Sequence, residues 1–182
     1  MIVRYDRAME MEALRRGRQM VKNGLYNRMG FSYGQRVNKA KIGCLGELAF
    51  QKALRHFGIA HETDDAGYEN RNSDNFDFCI NGKLIDVKVA KATTPEPPND
   101  SWTYGYPVEQ TTHNKDYVVV GVVREGEGTV TFYGWIPFPD IKSYPITDKN
   151  TYAAFDYKTL NHEFPYGDMN KDFTALWSAC NE

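Results

Sequence analysis

The dipeptide Asn81-Gly82, set between two apolar runs, constrains this chain more than any other feature. Asn followed by Gly suits the two positive-φ positions of a tight hairpin turn. The flanking runs, 75–80 and 83–90, are rich in β-branched and aromatic residues and read as strands. A two-residue turn sets the register: Ile80 opposes Lys83, Cys79 opposes Leu84, Phe78 opposes Ile85 and Asp77 opposes Asp86. Alternation of faces then puts Lys88 on the same side as Asp86. Carboxylates directly opposite one another, with Cβ atoms about 4.5–5.5 Å apart, destabilise a sheet. Set among Phe76, Phe78, Ile80, Leu84, Ile85 and Val87, these two are expected to be partly buried, where unpaired charge is costly. Two arrangements would balance them. One is a buried ion pair, Asp86–Lys88–Asp77; the other is a hard divalent cation held by oxygen ligands.

Upstream, residues 6–28 read as a helix with apolar positions at Ala8, Met11, Leu14, Val21 and Leu25. Asn27–Gln35 reads as a connector. A second helix is expected from Asn38, as N-cap, to Phe57, with Gly58 as its stop. Ile42, Leu45, Ala49, Phe50, Ala53, Leu54 and Phe57 share its apolar face, with Lys52 and Arg55 opposite. Glu47 falls at the border of that face. Gly43 and Gly46 each weaken a helix by about 1 kcal/mol relative to Ala, and close approach to a sheet is a reason to keep them. Glu47 could then reach the hairpin acids.

Downstream, 59–63 reads as a short strand and Asp64–Asp74 as a loop. Residues 93–114, with Pro95, Pro97, Pro98 and Pro107, form a long excursion. Its aromatic part, Ser101–Pro107, suits either packing on the body or stacking on bases. Lys91, Glu109, Gln110 and Lys115 lie near the site in sequence alone. Tyr117–Arg124 and Thr129–Ile136 read as a second hairpin, and 169–180 as a terminal helix; the aromatic residues from Tyr144 to Trp177 are read as completing the fold. This order predicts a single α/β or α+β domain in which helices flank a mixed central sheet.

Glu47 in Gly46-Glu47-Leu48-Ala49, then Phe76-Asp77, then Asp86-Val87-Lys88 resembles the PD-(D/E)xK nuclease superfamily, the restriction-endonuclease-like fold. The resemblance covers about residues 38–136 and includes Gly134-Trp135-Ile136-Pro137, similar to a strand end in several such nucleases. Phe76 stands where the motif name has proline. The resemblance implies Mg²⁺-dependent phosphodiester hydrolysis, with Mn²⁺ able to substitute. It implies that Asp77, Asp86 and the Val87 carbonyl ligate the metal. Glu47 would complete the site, and Lys88 would orient or deprotonate the attacking water. Alanine at Asp77, Asp86 or Lys88 is expected to abolish cleavage while leaving the fold intact.

The formal net charge of −2 hides an asymmetry. Residues 1–41 hold ten Lys or Arg against three acids, a balance of +7, and the rest holds 12 basic and 21 acidic residues, a balance of −9. Residues 1–41 are therefore expected to form a basic helical arm, 42–136 a catalytic core and 137–182 C-terminal elements. Arg15, Arg16, Arg18, Lys22, Lys39 and Lys41 are candidate phosphate contacts, with a solvated basic helix as the alternative. No run of roughly 18 apolar residues suggests a membrane span, and no apolar signal core precedes the first charges. Cys44, Cys79 and Cys180 form no CxxC pair, and the four histidines show no metal spacing. A cytoplasmic protein is expected, with nucleic acid, DNA above all, as partner and a homodimer possible for two-strand cutting. An RNA-directed nuclease and a catalytically silent nucleic-acid-binding relative are the alternatives.

Overall fold

The structure is a computed structural model that describes residues 1–25, 27, 30–64, 76–112 and 114–181. All but the first residue of the expected Asp64–Asp74 loop lies outside this set, as do Arg28 and Asn75. In chain order the strands are β1 (Ile2–Arg4), β2 (Glu62–Thr63), β3 (Phe78–Ile80), β4 (Lys83–Lys91), β5 (Thr103–Pro107), β6 (Tyr117–Arg124), β7 (Thr129–Pro137), β8 (Ile146–Lys149) and β9 (Asp156–Pro165). The helices are α1 (Arg7–Lys22), α2 (Tyr33–His56), α3 (Phe138–Ile141) and α4 (Phe173–Ala179).

The expected hairpin forms with three of its four expected pairs, Phe78 opposite Ile85, Cys79 opposite Leu84 and Ile80 opposite Lys83. The fourth, Asp77 opposite Asp86, is not among the paired residues, because β3 begins at Phe78 and the Asp77 N–H bonds the Ile85 carbonyl instead. Asn81 and Gly82 take φ values of 49° and 83°, as a two-residue turn requires. The hairpin lies in a six-stranded mixed sheet of order β1-β7-β6-β4-β3-β2. β4 and β6 run parallel, and the other described pairs in this sheet are antiparallel. β6 is apolar on both faces because both are covered. Val119 and Val123 enter the core under α2, whereas Val118, Val120 and Val122 enter the opposite core.

α2 and α4 cover the first face. Phe50 of α2 packs edge-on against Phe78 (5.2 Å) and Phe132 (5.4 Å), and Trp177 of α4 joins them. The second face is covered largely by a three-stranded antiparallel sheet, β5-β9-β8, with the short α3 beside it. Sequence periodicity did not indicate that second sheet. Its first strand comes from the proline-rich excursion, which leaves the main sheet after β4 and returns as β6. Among the described residues, no helix is long and apolar enough to cross a membrane.

Three helix expectations are corrected. α2 starts five residues before Asn38, because Ser32 and Gln35 form a capping box. Lys39 and Lys41 therefore lie well inside the helix, away from its N-terminal amides. α1 ends at Lys22, where Gly24 takes a φ of 101°. Phe57 is 52% exposed: it follows the last helical residue, so the helical wheel no longer positions it.

The basic segment 1–41 is no free arm. α1 packs on α2 through small residues, with Ala13, Gly17 and Val21 buried on α1 and Val37 and Ala40 on α2. Met11, expected on the apolar face, is 57% exposed. A Cβ on Gly17 would lie 2.8 Å from the Lys41 backbone nitrogen. Gly46 has the close approach to the sheet expected of it, since a Cβ there would meet both Val89 methyls at 2.6 Å; Gly43 has nothing within 4 Å. Gly17→Ala should therefore destabilise by about 1–3 kcal/mol, as overpacking outweighs the gain in helix propensity. Gly43→Ala should stabilise by up to about 1 kcal/mol. Urea unfolding midpoints of the two variants check the contrast.

Candidate active site

The hairpin and the parallel partner of β4 bring the predicted acids to one place. Asp86, on β4, is 2% exposed. Its Oδ1 accepts from Lys88 Nζ at 2.9 Å and Lys115 Nζ at 2.8 Å. Its Oδ2 accepts from the Tyr106 hydroxyl at 3.0 Å, and Lys115 also donates to that hydroxyl at 3.2 Å. Burial pushes the Asp86 carboxyl up, but Lys88 and then Lys115 outweigh it and hold it below the usual carboxylate range.

Asp77 has the opposite environment. It sits half-buried just before β3, and its Oδ2 accepts from the Val87 N–H at 2.6 Å. Burial raises its carboxyl well above the usual range, and the charges of Glu47 and then Asp86 add to that; Lys88 and the Val87 N–H oppose it. Within a strand, the N–H and C=O of one residue point to the same edge. The Val87 carbonyl therefore faces the Asp77 side, beyond the start of β3. Glu47 is half-buried on α2, and after burial its field is the next cause raising the Cys44 thiol.

Lys88 has its ammonium stabilised. Burial lowers it, but Asp86, Asp77 and Tyr106 together raise it well above the ordinary lysine value. Lys115, with a side chain only 2% exposed, is pushed the other way by burial and then by Lys88. One carboxylate cannot neutralise two ammoniums, and the more deeply buried lysine is the one whose charge is disfavoured.

Glu47, Asp77, Asp86, Lys88 and Val87 are thus close enough to act on one another. Lys115 and Tyr106 complete the cluster without having been singled out by motif. Lys115 precedes β6, and only the parallel β4–β6 pairing brings it to Asp86. Tyr106 is fully buried, so this ring of the 101–107 segment packs and does not stack on a ligand. Among the described residues, no three His, Cys, Asp or Glu side chains gather tightly enough to hold a metal ion. The donor types are those a hard cation takes, three carboxylates and a carbonyl.

The predicted phosphate contacts divide. Lys41, with a side chain 12% exposed, bridges Glu10 (3.2 Å) and Glu125 (2.5 Å). Arg15 and Arg16 both pair with Glu12 (2.7 and 2.9 Å). Arg18, Lys22 and Lys39 are exposed, and the Lys39 ammonium lies 4.8 Å from the centre of the Phe31 ring. Comparison with family models, curated proteins and solved structures finds no match to this chain.

Two variants separate the aspartates. Because the folded pKa of Asp77 is raised, the folded state holds a proton that the unfolded state has lost, and stability falls as pH rises through that window. In chelator at pH 7, Asp77→Asn should stabilise the fold, and the gain should shrink toward pH 4. Asp86→Ala should lose about 3–5 kcal/mol, since it strands Lys115 without a counterion. This revises the expectation that the alanine variant keeps its fold. Urea denaturation at both pH values measures each change.

Proposed function

We propose that this protein is a metal-dependent DNA nuclease of the PD-(D/E)xK type, with the restriction-endonuclease-like fold. The observation that supports the proposal is the contrasting environment of the hairpin acids: Asp77 is raised by burial and then by the neighbouring carboxylates, while Asp86 anchors an ammonium two residues along its own strand face. Asp77, Asp86, Glu47 and the Val87 carbonyl would hold Mg²⁺, or Mn²⁺ in its place. When bound, that ion supplies a water of lowered pKa and polarises the phosphate.

The remaining chemistry belongs to the chain's own side chains. Lys88 is fixed by Asp86, so its ammonium is positioned before substrate arrives. It would orient the attacking water and offset charge developing on the phosphate. Lys115 and Tyr106 hold Asp86 in place behind it. The exposed Arg18, Lys22 and Lys39 would contact phosphates, which positions a nucleic acid without reading its sequence. Contacts of that kind favour structure- or end-directed cutting.

One observation favours a second reading. Both oxygens of Asp86 already have partners, two ammoniums and a phenol, as in a purely structural ion-pair network. On that reading the chain binds nucleic acid without cutting it. Incubation with Mg²⁺ or Mn²⁺ on labelled linear, nicked, single-stranded and four-way-junction DNA, and on RNA, decides between them. Cleavage should appear on a DNA substrate and fall at least about 100-fold in Asp77→Asn and Lys88→Met. Absence of cleavage from every substrate, together with no heat of Mn²⁺ binding by calorimetry, would leave the silent reading standing. Cleavage of RNA alone would reassign the substrate.

A further inference from the structure

A groove of about 770 Å³ runs between the N-terminal half of α2, the end of β4 and the second sheet. Its wall is strongly aromatic, with Phe31, Trp102, Tyr104, Tyr152, Phe155 and Tyr157 among its lining. Tyr152 and Phe155 are each 52% exposed, on the turn between β8 and β9. Large rings left in water at a groove rim mark a binding surface more often than a packing need. Charge points the same way, because Lys39, Lys91 and Lys158 line the groove against Asp156. Lys91 is engaged by Glu125. Lys39 and Lys158 lie 4.8 and 6.0 Å from the centre of the Phe31 ring, and both are exposed.

The groove also leads to the candidate site. Val89, Ala90 and Lys91 of its wall follow Lys88 directly along β4. Tyr104, opposite them, is close enough to Lys88 to act on its charge.

We infer that this groove binds a single strand of nucleic acid, with unpaired bases stacking on Tyr152 and Phe155 and phosphates paired to Lys39 and Lys158. An aromatic wall can stack on bases only where their faces are free, and in a duplex those faces are covered by neighbouring pairs. Lysines beside the rings supply the backbone attraction that such binding needs. The inference rests on the nuclease reading and narrows its substrate to strands with unpaired nucleotides next to the scissile bond.

The test is fluorescence anisotropy with labelled oligodeoxyuridylate, oligouridylate and a blunt duplex of matched length, in chelator. Single strands should bind more tightly than the duplex. The double variant Tyr152→Ala/Phe155→Ala removes two exposed rings and should weaken single-strand binding at least about tenfold. Lys39→Ala and Lys158→Ala should each flatten the dependence of log affinity on log salt by about 0.7. The tighter of the two strands identifies the sugar. The inference is overturned if the duplex binds as tightly as the single strands, if nothing binds, or if the ring variant keeps full affinity with a native circular dichroism spectrum. Chelator keeps this readout apart from cleavage, so a protein that binds strands through these rings yet cuts none overturns the nuclease reading alone.

Discussion

Asp86 joins three separate parts of this molecule, and it does so with charge in a place where charge is expensive. Its strand belongs to the six-stranded sheet, Tyr106 belongs to the second sheet, and Lys115 stands at the entry to β6. One carboxylate therefore ties both sheets to the crossover between them. A buried ion pair is favourable only when its geometry is good and its remaining hydrogen-bonding capacity is filled. Asp86 meets that condition with three donors at 2.8–3.0 Å. The apolar residues around the network, among them Phe138 with its ring 5.9 Å from that of Tyr106, keep water from competing for those bonds.

Asp77 shows what the same side chain becomes a few ångströms away. It lies just before β3, beyond the last paired residue, with its own N–H bonded to the Ile85 carbonyl. Its surroundings differ from those of Asp86. Asp86 bonds both lysines, whereas Asp77 bonds one amide, feels only the more distant charge of Lys88, and is repelled by two carboxylates. Acids whose environments push their pKa values apart are the arrangement from which divided chemical roles are built. Here the division follows from topology: the lysines arrive on β4 itself and from the parallel neighbour of β4, while the opposing Glu47 arrives from α2.

What could be read from the sequence follows the range of the forces involved. The Asn81-Gly82 hairpin is a local matter, and its register stands as read from the turn out to Phe78 and Ile85, though not at Asp77. Gly46 was legible as a contact because a glycine weakens an apolar helix and is retained where another backbone or side chain must come close; the same logic fails at Gly43, which meets nothing. The Ser32-Gln35 capping box was also local, and it was masked because Gly30, Ser32 and Gly34 together have the composition of a connector. The second sheet was not legible. β5 pairs with β9 across more than fifty residues, and the alternation of β9 is broken where it becomes buried on both sides. Lys115 belongs to the same group, since nothing in its neighbourhood announces that a parallel pairing will deliver it to Asp86.

The basic N-terminal segment shows how a charge count and a charge distribution part company. Its +7 suggested a polyanion-binding arm, yet Lys41 uses its charge inside the fold. It bridges Glu10 on α1 to Glu125, in the turn between β6 and β7. Lys91 meets the same Glu125 from β4. That pairing holds Glu125 below the usual carboxylate range, with Lys41 as the larger cause. Part of the acidic excess downstream is thus the counter-charge of this helix pair. Arg15 and Arg16 are similarly occupied by Glu12. Among the described cations of this segment, Arg4, Arg7, Arg18 and Lys22 face solvent on β1 and α1, and Lys39 faces the aromatic groove from α2. A polyanion drawn to that groove would meet Lys39 and Lys158 beside a row of rings, and not a uniform basic surface. Such a site selects less by charge than by whether the partner has bases free to stack.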